Sequence, residues 1–196
     1  MKKTILLTLS ITLIVSTLMA QERTHSGFYF SGAVGPAWGT TNGHDNQGNS
    51  FNVTGTGAEV DFQIGGSISK NLILHGTIMA KSVVGPEING TKISDDYSLS
   101  ETMFGGGITH YTAKNFFFTG NAGAGKFTFD DGKTSMSTNK GFSFSLKAGK
   151  EWWVSKKLGI GAAFTYGKTK LTNSEGSYTE KWNSNRYGIL LQFTID

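Results

Sequence analysis

From about Gly57 to Ser69 apolar and polar positions alternate without a break. Ala58, Val60, Phe62, Ile64, Gly66 and Ile68 share one parity, and Glu59, Asp61, Gln63, Gly65 and Ser67 share the other. A period of two predicts a strand with one apolar face. Two carboxylates and an amide at its centre are costly to bury unless the second face meets water or charged partners. Similar alternation recurs along the chain. About Gly27–Trp38 puts Phe28, Phe30, Val34 and Trp38 opposite Tyr29, Ser31, Ala33 and Ala37. Leu72–Lys81 puts Leu72, Leu74 and Ile78 opposite His75, Thr77 and Lys81. Gly141–Trp153 puts Phe142, Phe144 and Leu146 opposite Ser143, Ser145 and Lys147. Further strands are expected over about Tyr97–Tyr111 and Phe116–Phe129, from Leu158 through Tyr166, and in the C-terminal run from Tyr187. The register of Tyr97–Tyr111 is the least regular, and its Gly105-Gly106-Gly107 run predicts a bulge or a close approach of backbones.

A short stretch punctuates this pattern three times: Ser69-Lys70-Asn71-Leu72, Ala113-Lys114-Asn115-Phe116 and Ser155-Lys156-Lys157-Leu158. The lysines at 70, 114 and 156 are 44 and 42 residues apart, a unit of two strands and two connections. Tight turns at the lysines therefore alternate with polar stretches read as long loops, Thr40–Thr56, Val84–Asp96, Asp130–Lys140 and Leu171–Asn183. About eight amphipathic antiparallel strands, with one face consistently apolar, predict an all-β fold: an eight-stranded up-and-down transmembrane β-barrel. A soluble lipocalin-like barrel also has eight strands but fills its interior with large apolar residues. Here the second face is Gly, Ala, Ser, Thr and scattered charge, which suits a polar lumen. Trp152, Trp153, Phe116 and Phe117 beside the lysine turns, and Trp38, Tyr97, Tyr166 and Tyr187 near the other ends, are expected to form two interfacial aromatic girdles.

Composition narrows the class. Met1–Ala20, with Lys2 and Lys3, an apolar stretch and a small-residue site before Gln21, reads as a signal peptide, leaving 21–196 as one barrel domain. Without the two leading lysines the formal charge falls from +4 to +2, and no basic run longer than two residues follows, so there is no case for nucleic acid. Cysteine is absent, which excludes a disulfide scaffold. The average hydropathy is slightly polar, as expected when only alternate residues face lipid.

By parity Glu59, Asp61, His75, Lys81, Glu101, Lys147, Glu151 and Arg186 point into the lumen. Mixed signs in a narrow barrel are expected to pair, because a lone charge there is expensive. The arrangement reads either as a structural plug or as the lining of a narrow pore. His25, His44, His75 and His110 lie in no His-x-Ser arrangement, and Asn42, His44, Asp45 and Asn46, like Asp130-Asp131-Gly132, match no metal-binding spacing. Neither a catalytic residue nor a metal or cofactor site is assigned.

These features resemble the small outer-membrane β-barrel family of the OmpA and OmpX type. The last strand, Tyr187-Gly188-Ile189-Leu190-Leu191-Gln192-Phe193, looks like that family's C-terminal signal for the barrel-assembly machinery, with Tyr187, Ile189, Leu191 and Phe193 carrying it; Thr194-Ile195-Asp196 follow where the family ends on the aromatic. The resemblance implies the cell outer membrane as location, lysine turns in the periplasm and the longer connections outside. It also implies outer-membrane lipid, lipopolysaccharide and the assembly machinery as partners, with a possible extracellular ligand at the loops. Of the family's roles, the expectation is a structural or surface-interaction one, in adhesion or stress resistance. A narrow pore for ions or small solutes and a lipid-modifying enzyme are the alternatives.

Overall fold

A computed structural model describes residues 24–196 of the protein. The expected signal peptide lies outside the described residues. The elements are β1 (Phe28–Asp45), β2 (Ser50–Ser69), β3 (Leu72–Val84), β4 (Glu87–Ile88), β5 (Thr91–Lys92), β6 (Ser98–Tyr111), β7 (Phe116–Asp130), β8 (Ser135–Ser137), β9 (Gly141–Trp153), β10 (Leu158–Glu175) and β11 (Tyr178–Ile195). Eight of them, β1, β2, β3, β6, β7, β9, β10 and β11, pair antiparallel with their neighbours. Pairing of β1 with both β2 and β11 closes the ring. Closure leaves no open sheet edge, the condition for a sheet that crosses a bilayer.

The lysine turns are tight. Asn71 and Asn115 take positive φ, 64° and 57°, the left-handed conformation that asparagine tolerates better than most residues. This is why the repeated stretch carries Asn after Lys in its first two copies. In the third copy, with Lys157 in that place, the Ser155 hydroxyl accepts from the Leu158 amide at 3.1 Å.

Two of the four expected loops are strand for most of their length. β1 and β2 stay paired up to His44↔Ser50, and β10 and β11 up to Glu175↔Tyr178. Thr40, Asn42, Asn52 and Thr54 look like loop composition, yet Thr40↔Thr54 and Asn42↔Asn52 face each other across the ladder, and the Asn52 side-chain amide donates to Asn42 Oδ1 at 2.7 Å. Only Asn46–Asn49 turns, around an Asp45 carboxylate that accepts from the Gln47 and Asn49 amides and the Asn49 side chain. Those bonds, led by the Asn49 side chain, hold Asp45 below its ordinary pKa of 3.8. The other two connections carry small strands, β4 on β2 and β8 on β7.

The Gly105–Gly107 run contains no bulge. Pairing is continuous on both sides, and a bulge falls instead between Ser67 and Ser69 beside the first lysine turn. Close approach does occur: a Cβ on Gly105 would stand 2.1 Å from the Ala122 carbonyl oxygen.

Outward positions form a continuous apolar belt that includes Phe28, Val34, Phe62, Ile64, Ile78, Phe104, Phe118, Leu146, Phe164 and Leu191. Trp38, Tyr166 and Tyr187 rim it on the hairpin side, with Tyr166 and Tyr187 5.2 Å apart. Phe116 and Trp152 rim it at the lysine turns, where Lys150 lies 4.4 Å over the Phe116 ring. Three girdle expectations need correction. Phe117 and Trp153 are 0% and 7% exposed and point into the barrel, because adjacent residues of a strand face opposite ways. Tyr97 lies before β6 and packs on Phe129 at the mouth, 5.7 Å between rings.

Leu191 is at the centre of the outward run Tyr187–Ile195. Leu191→Arg is expected to cost about 2–4 kcal/mol in lipid vesicles. Asn183→Arg, outward but beyond the belt, is expected to cost less than about 0.5 kcal/mol. Urea titration followed by the gel shift between folded and boiled protein measures both.

Candidate functional site

The interior is layered, and alternation along each strand sets the layers. Next to the lysine turns Tyr29, Ile73, Tyr111, Phe117 and Ala163 form an apolar cluster. The segment before β1 folds into it. His25 stacks on Tyr111 with ring centres 3.5 Å apart, its amide donates to Asn71 Oδ1 at 2.9 Å, and its ring approaches the Asp196 carboxylate at 2.5 Å and that of Glu151 at 3.8 Å. Glu151 also accepts from the Thr194 hydroxyl at 2.7 Å and from Tyr111 at 3.2 Å.

Above this layer Lys147 Nζ stands 2.7 Å from Asp61, which also accepts from Thr77 at 3.2 Å and from the Gln63 amide at 3.0 Å. His75 is in the same layer, bonded to the Thr109 hydroxyl at 2.9 Å, which in turn meets Thr119 at 2.8 Å. One layer further up Arg186 pairs with Glu101. Ser184 and Thr169 donate to the same carboxylate at 2.8 and 2.5 Å. Glu59 faces Arg186 Nε at 4.0 Å. Lys81 stands directly across the ladder from both Glu59 and Glu101.

All eight residues assigned to the lumen by parity are therefore inside and buried. They divide into three groups: Glu151 with His25 and Asp196; Asp61, Lys147 and His75 in the middle; Glu59, Lys81, Glu101 and Arg186 above. Glycines make the room. A Cβ on Gly167 would meet the Arg186 guanidinium carbon at 2.4 Å, and one on Gly159 the Glu151 carboxylate at 2.1 Å.

Sequence reasoning missed His25 and Asp196, which lie outside any alternating run, and the hydroxyls of Thr109, Thr169 and Ser184. The hydroxyls share inward parity with the charged residues, and that parity was the signal available.

At the hairpin end Leu99, Phe127 and Leu171 form a second apolar cluster, with Val53 and Trp182 packed against it. Between this lid and the Lys81–Glu101 layer lies a cavity of about 20 Å³, room for one water molecule. No group of three or more His, Asp or Glu side chains with metal-binding geometry occurs among the described residues. Chemically, two of the interior carboxylates are offset by close cations, Asp61 by Lys147 and Glu101 by Arg186. Tyr187, Leu191 and Phe193, expected from the resemblance to carry an assembly signal, lie on the outward face of β11 at the closing seam. There Trp38, Val34 and Gly32 of β1 are their partners, and the Phe193 ring occupies the space that a side chain at position 32 would need.

Arg186→Met leaves Glu101 and Glu59 buried without their cation. It is expected to cost about 3–5 kcal/mol, a large part of which returns when Glu101→Gln is added. The same unfolding titration, run on the two single variants and the double, measures the coupling.

No family model matches the chain, and no curated protein matches it. Solved structures do. Neisserial surface protein A is similar over 88% of this chain and 99% of its own, with a TM-score of 0.58 at 12% identity. The outer membrane protein OprG from Pseudomonas aeruginosa matches over 87% of this chain and 97% of its own, with a TM-score of 0.49 at 14% identity. AlkL, solved in lipid bilayers, matches over 90% and 93%, with a TM-score of 0.48 at 11% identity. The chain has the fold of the small outer-membrane proteins, a closed eight-stranded antiparallel transmembrane β-barrel.

Proposed function

We propose that the protein is a non-enzymatic barrel of the outer membrane, with a closed lumen, whose role lies in the surface it holds outside the cell. The observation that carries this reading is the division of labour along the strands. The interior is capped by apolar clusters at both ends and filled between them by polar and charged side chains, among them the pairs Asp61–Lys147 and Glu101–Arg186. The hairpin end runs on past the aromatic rim: seven residues of β1 follow Trp38, and nine of β11 precede Tyr187. At about 3.3 Å per residue that is a sleeve more than roughly 20 Å long, which a minimal membrane plug has no need of. A surface-interaction role, in adhesion or protection of the envelope, uses that sleeve.

Lipid is the second partner in this reading. Beyond the rim the outward positions carry Lys126, Lys168 and Lys170, with Lys181 farther out across from His44, and the outward face of β10 and β11 there holds no carboxylate. Cations at that height suit the phosphates of lipopolysaccharide in the outer leaflet.

In planar bilayers the purified protein is expected to give no resolved single-channel current. A steady conductance that changes on Lys147→Ala would replace this reading with the narrow pore. Exchanging Lys168, Lys170 and Lys181 together for Glu is expected to reduce co-purifying lipopolysaccharide several-fold without changing the gel shift of the folded barrel. Unchanged lipid content would remove that partner.

A further inference from the structure

Above the apolar lid of the lumen, on the side away from the charged layers, the sleeve contains a cleft. It opens between the β7–β9 connection, which carries β8, and the β10–β11 hairpin, and it encloses about 590 Å³, within the range of small-molecule sites. Its floor is aromatic: Trp182 lies on Phe127 with ring centres 5.2 Å apart and 25° between planes, and Phe129 lies beside them. Met136 of β8, 69% exposed, forms the facing wall. Neutral polar side chains from Ser137 to Asn139 and at Asn173 and Ser174, together with two carboxylates, Glu175 and Glu180, complete the lining, and no lysine or arginine contributes to it.

Glu180 is held in place before any ligand arrives. The Trp182 indole N–H donates to Oε2 and the Tyr178 hydroxyl to Oε1, each at 3.0 Å. Tyr178 keeps its proton for this purpose, its pKa pushed up to about 12 chiefly by the bond to Glu180, with Asp45 as a second acceptor at 3.2 Å. Both Glu180 bonds are to neutral donors. Among the described residues no basic group lies within 4 Å of Glu175 or Glu180 to neutralise them. The nearby lysines Lys170 and Lys181 have the opposite parity and point away from the cleft.

We infer that this cleft binds a small organic cation, an ammonium or guanidinium group carried on an apolar body. An aromatic floor and a fixed carboxylate both attract positive charge, and that floor and the methionine take the attached hydrocarbon. A neutral molecule would gain the floor and the neutral polar lining but not the attraction of the carboxylates, and an anion would meet two carboxylates. Holding the carboxylate in advance reduces the ordering that binding requires. The inference goes beyond the surface-interaction reading and does not depend on it, because the site is complete in the purified barrel whether or not the lumen conducts.

Benzyltrimethylammonium, with neutral benzyl alcohol as comparator, is a suitable probe for equilibrium dialysis against the protein in non-ionic detergent. Saturable, one-to-one binding of the cation is expected, with benzyl alcohol at least about tenfold weaker. Glu180→Gln and Trp182→Leu should each weaken the cation by about tenfold or more while the gel shift of the folded barrel persists. Glu175→Gln should weaken it less, because that carboxylate is not held by the aromatic pair. Absence of saturable cation binding, equal binding of the two probes, or variants that bind like the parent would each overturn the assignment. Should Trp182→Leu disturb the apolar lid and lose the gel shift, the comparison of Glu180→Gln with the parent decides alone.

Discussion

Closure of the ladder between β1 and β11 is the constraint on which the rest depends. Between lipid and its own interior, a barrel strand has no water to satisfy a free backbone edge, so the first and last strands have to find each other. Once they do, every residue has one of two environments, and parity assigns it. Phe193 over Gly32 at the seam belongs to the lipid side. Arg186 with Glu101, one strand position away from Tyr187, belongs to the other. The charges inside are affordable only because the ring is complete: with eight strands the interior is narrow enough that Lys147 reaches Asp61 and Arg186 reaches Glu101 across it.

Where the environment differs between faces, the sequence is easy to read. From Gly57 to Ser69 and from Leu158 to Tyr166 the two faces meet lipid and lumen, and alternation reports both. The repeated Ser-Lys-Asn turns were legible for a related reason, since a left-handed residue at Asn71 and Asn115 leaves a composition that recurs. Beyond Trp38 and Tyr166 the outward face leaves the apolar belt, while the inward face is still buried at Thr41, Thr169 and Leu171. The hydrophobic period then vanishes although the strands continue, so Thr40, Asn42, Asn52 and Thr54 carry strand pairing under the composition of a loop. Trp153 and Phe117 were misplaced by grouping residues by position along the strand when parity was the stronger rule.

The contents of the lumen were legible, and its pairings were not. Parity gives a list of eight side chains, but which carboxylate Arg186 meets depends on the stagger of strands far apart in sequence, and no local pattern encodes it. His25 carried no signal at all, since it precedes the first strand and gains its place only by stacking on Tyr111 and meeting the last residue of the chain. The aromatic cleft was hidden likewise, because Trp182 lay in a stretch read as loop and its partner Phe127 stands 55 positions earlier.

The sleeve beyond the aromatic rim is held by main-chain bonds that are indifferent to side-chain identity. Outward residues there, such as Thr40, Asn42, Asn52 and Asn183, support no core and lie beyond the apolar belt. A surface of this kind combines a rigid scaffold with freedom to mutate. On the cell exterior, where the proposed function puts it, such a surface can change its face residue by residue while the architecture beneath stays as it is.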